Sequence, residues 1–118
     1  MINSFNRNDI VIVKFPFASS LKYKARPAVI ISNKHYNQNS RNTTIILAIS
    51  SQVSKKLSIE KEINNWEDAG LLKPSIFKSS IATIEKEYII QKLGRLENDD
   101  IVILNNFLKE SIIDIKNR

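Results

Sequence analysis

Three short apolar runs rich in β-branched residues, at 10–15, 28–32 and 44–49, stand in the first fifty residues with polar stretches between them. Their lengths suit strands, and their near-continuous hydrophobicity implies burial on both faces of a sheet or in the interior of a barrel. At 118 residues the chain is long enough for one domain, 1–118, with a modest but sufficient core. Two glycines, three prolines and the absence of repeats or low-complexity tracts leave no flexible linker.

The rest of the chain extends the same pattern. Residues 33–41 are polar and turn-like, with room for a helical turn, and 58–63 reads as a further strand. NNWEDAGLLKP is a turn or short helix stopped near Gly70 and Pro74, with Trp66 as a packing anchor. Residues 75–77 and 88–93 read as strands flanking a connection through Thr83, Ile84 and Glu85. From Asn98 onward Ile101, Leu104, Leu108, Ile112 and Ile115 recur at helical spacing; Asn98 is the expected N-cap, and Asp99 and Asp100 are favourably placed in the first turn. The sequence therefore predicts a mainly β (α+β) domain, a small barrel whose core is closed by a C-terminal helix.

Charge narrows the partners. Lys and Arg exceed Asp and Glu by 18 to 12, a net +6, which draws a small domain toward polyanions: nucleic acid or an acidic protein. The distribution is uneven. No Asp or Glu stands between Ile10 and Ile59, whereas Lys14, Lys22, Lys24, Arg26, Lys34, Arg41, Lys55 and Lys56 all do, so one end of the domain is expected to be strongly positive. The chain has no cysteine, which excludes disulfides and thiolate metal sites, and no apolar run near the roughly 20 residues that span a bilayer. No secretory leader is visible in MINSFNRND, and a cytoplasmic location is expected.

The segment KARPAVIIS, 24–32, places an Arg-Pro pair at the mouth of the second apolar run. Pro27 has a preset φ and donates no ladder hydrogen bond, which suits a first strand position, and it biases Arg26 toward extended backbone. Arg26 is thereby expected at an element boundary, its guanidinium offering planar, bidentate donors to phosphate.

Four segments in order, NDIVIVKFPF (8–17), KARPAVIIS, ILAISSQ (46–52) and WEDAGLLKPS…IATIEKEYIIQKLGRL (66–96), resemble the MazF/PemK family of toxin endoribonucleases over nearly the whole chain. The resemblance implies an SH3-like barrel of the PemK/CcdB type and a homodimer without cofactor or metal. It also implies a sequence-specific mRNA interferase that cleaves single-stranded RNA and is inhibited by a cognate antitoxin protein. Arg26 matches the family's catalytic arginine, and Ser50 stands where the family usually has threonine, keeping a hydroxyl. Gln52 and its neighbour Ser51 fall in the substrate loop, and Thr83 and Glu85 of TIEK match a motif near the RNA. Lys22, Lys24, Lys55 and Lys56 flank both catalytic segments and are assigned to phosphate positioning. Two departures stand out: Asn8 replaces a common glycine, at a position where asparagine tolerates left-handed backbone, and 18–25 holds no acid to act as a base.

RNA cleavage without metal requires deprotonation of the ribose 2′-OH, stabilisation of the phosphorane charge and protonation of the 5′ oxygen. With His35 as the one histidine, read as a surface residue, a two-histidine mechanism is excluded. Arg26 suits charge stabilisation, and Ser50 suits hydrogen-bond donation to a phosphate oxygen or proton relay. The expected products are a 2′,3′-cyclic phosphate and a 5′-hydroxyl. A gyrase-poisoning toxin of the same fold and a non-catalytic RNA-binding barrel are the competing readings.

Overall fold

The computed structural model describes residues 4–16 and 23–113. Six strands, β1 (Asp9–Pro16), β2 (Tyr23–Ile30), β3 (Thr43–Ser50), β4 (Lys61–Glu62), β5 (Ile76–Glu85) and β6 (Ile89–Arg95), form one antiparallel sheet in the order β4-β5-β3-β2-β1-β6. A short helix α1 (Lys34–Asn39) links β2 to β3, and α2 (Asn98–Phe107) continues as a π-helical turn, Leu108–Ile112. No helix among the described residues is long and apolar enough to cross a membrane.

Chain connectivity forces the sheet to curl. β5 and β6 stand four strand spacings apart, about 19 Å in a flat sheet. The three-residue 3-10 turn Lys86–Tyr88 joins them, and that length of chain reaches at most about 14 Å. The strands therefore wrap around a shared interior, to which Val11, Val13, Ala28, Ile30 and Ile46 contribute fully buried side chains, with Ala82, Ile84, Tyr88 and Ile89 against them. The alternate residues Ile10, Val29, Leu47, Ile49 and Phe77 face outward into a second core, covered by Leu104, Phe107 and Leu108 of the C-terminal helix and by Ile63, Ala69 and Leu71. Burial on both faces is why the first three runs lack polar alternation.

Several local expectations change. Pro27 sits inside β2, paired with Ile12, and the strand opens at Tyr23. Ile31 N donates to Ile45 O on β3, so by alternation the nitrogen of Pro27 also faces β3, beyond the last pair, Ala28 with Ala48. The missing N–H costs no ladder bond there. The strand expected at 58–63 is reduced to Lys61–Glu62. Thr83, Ile84 and Glu85 belong to β5, with Ala82 and Ile84 packed inward; Lys86–Tyr88 is the true connection. The N-cap of α2 is Glu97 rather than Asn98, and Ile115 lies outside the described residues. Asn8 takes φ 76°, as its type allows, and Trp66 packs against the outer core.

Both glycines of the chain serve one contact. A Cβ on Gly94 would lie 2.3 Å from Ala69 O, and one on Gly70, at φ 97°, would lie 2.4 Å from Leu93 O, so the 64–70 turn rests directly on β6. Asp100 fixes the other side of that turn. Fully buried in the first turn of α2, it accepts from Asn64 N and Asn65 N, each at 2.8 Å. Asp100→Ala leaves the part-buried amides of Asn64 and Asn65 without their carboxylate and is expected to cost about 2 kcal/mol, read as a lower urea midpoint at unchanged m-value.

Candidate active site

Strand register carries Arg26 and Ser50 to the same end of β2 and β3. Ala28 pairs with Ala48, Val29 with Leu47 and Ile30 with Ile46; two further steps along both strands, past the end of the ladder, fall on Arg26 and Ser50. The face is shared too. Val29, Leu47 and Ile49 point to the outer core and Ala28, Ile30 and Ile46 to the inner one, so alternation puts Arg26 and Ser50 on the inner face. There the strands outrun the packed residues, Arg26 is exposed, and Ser50 is half-buried. Pro27 and Ser51, next along each strand, line one cleft of about 200 Å³ with Leu71 and Leu93.

Ser50 opens a larger cleft. Its walls, about 410 Å³ in all, carry Gln52, Lys55, Glu60, Ile76, Lys78 and Ser79. Gln52 N donates to Ser50 Oγ at 3.1 Å, occupying an acceptor site of the hydroxyl and leaving its own hydrogen available to a ligand. β5 is irregular at this point. Ile49 pairs with Phe77 and Leu47 with Ile81, so β3 advances two residues while β5 advances four. The extra residues form a bulge at Lys78, Ser79 and Ser80, which takes Ser79 N out of the ladder.

Glu60 takes up that released donor. Its Oε2 accepts from Ser79 N and Ser79 Oγ, both at 2.8 Å, and its Oε1 accepts from Leu57 N at 2.8 Å. Lys56 Nζ donates to Glu60 O at 3.2 Å, closing the loop on itself. Burial pushes the Glu60 carboxyl upward, but the hydrogen bonds from Ser79 and Leu57 and the charge of Lys78 outweigh it and hold it below the ordinary carboxylate value. It stands ionised at neutral pH, its oxygens committed to the loop and the bulge.

The other expected residues divide. Gln52 and Lys55 line the cleft beside Ser50, Ser51 lines the adjoining one, and Lys56 is held by the loop carbonyls. Lys24 is exposed on β2, two residues before Arg26, and Lys22 lies outside the described residues. Thr83 and Glu85 are not brought to the site. They pair with Ile45 and Thr43, so Glu85 stands seven residues along β3 from Ser50, about 23 Å of strand. Thr83 instead lines a separate cavity with Ile31, Ile45 and Leu108. His35 is exposed on α1. Sequence reasoning missed Glu60, Lys78 and Ser79; the available signals were the first acid after a long acid-free stretch and a polar triplet interrupting an apolar strand.

A curled six-stranded sheet with a terminal helix, and an open cleft carrying Lys55 and Lys78 beside Ser50 at the end of β3, define a small β domain. The family follows from direct comparison. Residues 6–112 match the model of the PemK-like, MazF-like toxins of type II toxin–antitoxin systems, and the chain belongs to that family. Solved structures agree in fold. An endoribonuclease from a mycobacterial species, in complex with its cognate antitoxin, aligns at a TM-score of 0.74 and 15% identity, covering 97% of this chain and 100% of that one. The toxin MazF-mt6 of Mycobacterium tuberculosis gives 0.66 at 21% identity over 86% and 92% of the two chains. A MazE-MazF structure from Deinococcus radiodurans gives 0.69 at 15% over 88% and 91%. No curated protein matches the chain in sequence.

Because the folded carboxyl is depressed relative to the unfolded one, its stabilisation is present above the usual carboxylate range and is lost as pH falls through the folded value. The melting temperature of the wild type should therefore exceed that of Glu60→Gln at pH 7, with the gap narrowing steadily below about pH 4. A gap independent of pH would contradict this account of Glu60.

Proposed function

We propose that this chain is a sequence-specific, metal-independent endoribonuclease toxin that cuts single-stranded RNA in the cytoplasm and is silenced by a cognate antitoxin. The observation behind the reading is register: it carries Arg26 and Ser50 to the same end and face of β2 and β3, with Ser50 in a cleft also lined by Lys55 and Lys78. The family membership and the endoribonucleases among the similar folds support it.

In this reading the scissile phosphate sits between Arg26 and Ser50. Arg26 stabilises the negative charge that grows on the non-bridging oxygens as the 2′-oxygen, its proton passing to water, bonds to phosphorus and the bond to the 5′ oxygen breaks, that oxygen taking a proton from water. The guanidinium stays charged throughout and acts as an electrostatic partner rather than a base. Ser50, with an acceptor site already filled by Gln52 N, directs its hydrogen to a phosphate oxygen. Glu60 does not serve as the base for the 2′-hydroxyl: its oxygens already accept three hydrogen bonds and its affinity for a proton is reduced. Lys24, Lys55 and Lys78 neutralise flanking phosphates, and an antitoxin with an acidic segment would compete for the same cations.

The chain acts as a homodimer. A cavity of about 550 Å³, lined by Ile31, Ile45, Ile81, Leu108 and Ile113, opens at the far end of β3 from Ser50, and Ile81 and Ile113 are 40% and 51% exposed at its edge. A second copy of the same apolar face is the proposed cover.

Incubation of the protein with a long single-stranded RNA in excess EDTA should give discrete fragments sharing a short sequence at the cut, with 5′-hydroxyl ends. Arg26→Ala should lower the rate by about 10³-fold and Ser50→Ala by about 10²-fold, while Ser50→Thr stays within a few-fold. Intact RNA with retained binding would favour a binding module, and inhibition of gyrase supercoiling would favour the gyrase-poisoning reading. Ile81→Asp should move the species seen by sedimentation from dimer to monomer; an unchanged wild-type dimer would place the interface elsewhere.

A further inference from the structure

Glu60 poses a problem for a cleft built to hold a polyanion. A carboxylate is ionised among Lys55, Lys78 and the neighbouring Lys56, where it repels phosphate, yet it is 3% exposed and lines the cleft beside Ser50. Its hydrogen bonds run to two segments: Leu57 in the loop that carries Gln52 and Lys55, and Ser79 in the β5 bulge that carries Lys78. The sheet joins them through the pairs Lys61 with Phe77 and Glu62 with Ile76, and Ile63 N donates to Ser75 O at 2.9 Å just beyond. Where the ladder stops, Glu60 takes over the connection.

We infer that Glu60 is a positioning residue that holds Lys55 and Lys78 as a paired subsite for a phosphodiester flanking the scissile one. This inference rests on the proposed nuclease reading for the identity of its ligand. Lys78 sits inside the bulge, so its direction follows from the conformation that Ser79 N and Oγ adopt on Glu60. Lys55 ends the 3-10 turn Val53–Lys55, whose chain continues two residues to Leu57 and its bond to Glu60 Oε1. One carboxylate thus sets the spacing of two cations. Lys78 and Glu60 enter the site through the fold alone, since the nearest catalytic position, Ser50, belongs to a different strand.

The sign of one substitution separates positioning from simple charge. Glu60→Gln removes a negative charge from the cleft and, by electrostatics alone, tightens polyanion binding. A positioning role predicts weakening, because the amide NH₂ of glutamine must face either Leu57 N–H or Ser79 N–H, donor against donor. The experiment measures binding of a single-stranded DNA copy of the assay RNA, which lacks the 2′-hydroxyl nucleophile, by fluorescence anisotropy across a salt series. Cleavage of the RNA is measured in parallel.

Glu60→Gln and Lys78→Gln should each weaken DNA binding about tenfold and lower the salt slope by about 0.7. Each should raise KM about tenfold with kcat within threefold. Ser79→Ala, which removes one of the three bonds without touching charge, should act in the same direction more weakly, and serves if Glu60→Gln fails to fold. Binding by Glu60→Gln or Ser79→Ala that equals or exceeds wild type, with KM unchanged, overturns the positioning role. A wild type that cuts nothing, while Glu60→Gln still weakens DNA binding, overturns the nuclease reading and leaves the subsite standing.

Discussion

Burial of a single sheet on both faces is the constraint on which the rest of this molecule depends. The inner cluster and the outer core each take alternate residues of β1, β2 and β3, so the middle of these strands has no place for a charge or an unsatisfied hydroxyl. Functional groups are confined to positions where a strand outruns its cover. Arg26 and Ser50 stand at such positions, at the same end of adjacent strands, held by a ladder whose last pair lies two residues away. The rigid core thus delivers two polar side chains to solvent without being interrupted by them.

The same constraint explains why the cleft needs an irregular strand. A regular β5 would commit the backbone amides opposite Ala48 to β3 and leave no donor to anchor the 51–60 loop. The bulge releases Ser79 N, and Glu60 accepts it together with Ser79 Oγ and Leu57 N. Burying a carboxylate is costly unless its oxygens are satisfied. Here three donors and the charge of Lys78 more than offset burial, and the carboxyl stays ionised. Asp100 shows the same device at the opposite side of the outer core, where one carboxylate accepts two consecutive amides and fixes the 64–70 turn to α2. In both cases an acid with backbone donors around it fixes a short loop, and the 64–70 turn adds the apolar contacts of Trp66 and Ala69.

How much of this was legible in the sequence follows from the range of the interactions. β1, β3 and α2 were readable because apolar pattern acts over a few residues and the core enforces it. Arg26 and Ser50 stand out from segments that resemble a family, and spacing alone does not reveal that register carries them to the same end of β2 and β3. β5 was divided in the wrong place because Lys78, Ser79 and Ser80 look like a loop, when they are a bulge within a ten-residue strand. Pro27 was put at a strand start because its missing N–H is costly inside a ladder; it is tolerated mid-strand because that nitrogen faces β3 beyond the last pair. Glu60 is marked in the sequence as the first acid after a long acid-free stretch, but its role depends on Ser79, nineteen positions away in the bulge. Thr83 and Glu85 illustrate the converse, a motif in sequence that the register carries to the other end of β3.

The inventory around Ser50 also restricts how the proposed reaction responds to its surroundings. A guanidinium keeps its charge at any pH a folded protein survives, and an alkyl hydroxyl does not ionise in that range. Glu60 is already ionised at neutral pH and its oxygens are engaged. A site built on a histidine pair, by contrast, needs its two imidazoles in opposite protonation states. Charge stabilisation by a fixed cation and a fixed dipole depends on geometry, while the 2′-hydroxyl must still lose a proton and the 5′ oxygen gain one. That geometry is set by β2–β3 register for Arg26 and Ser50 and, in the inference above, by Glu60 for the flanking lysines. In the proposed reading, an acidic segment lying along the cleft would silence such a site by occupying its cations.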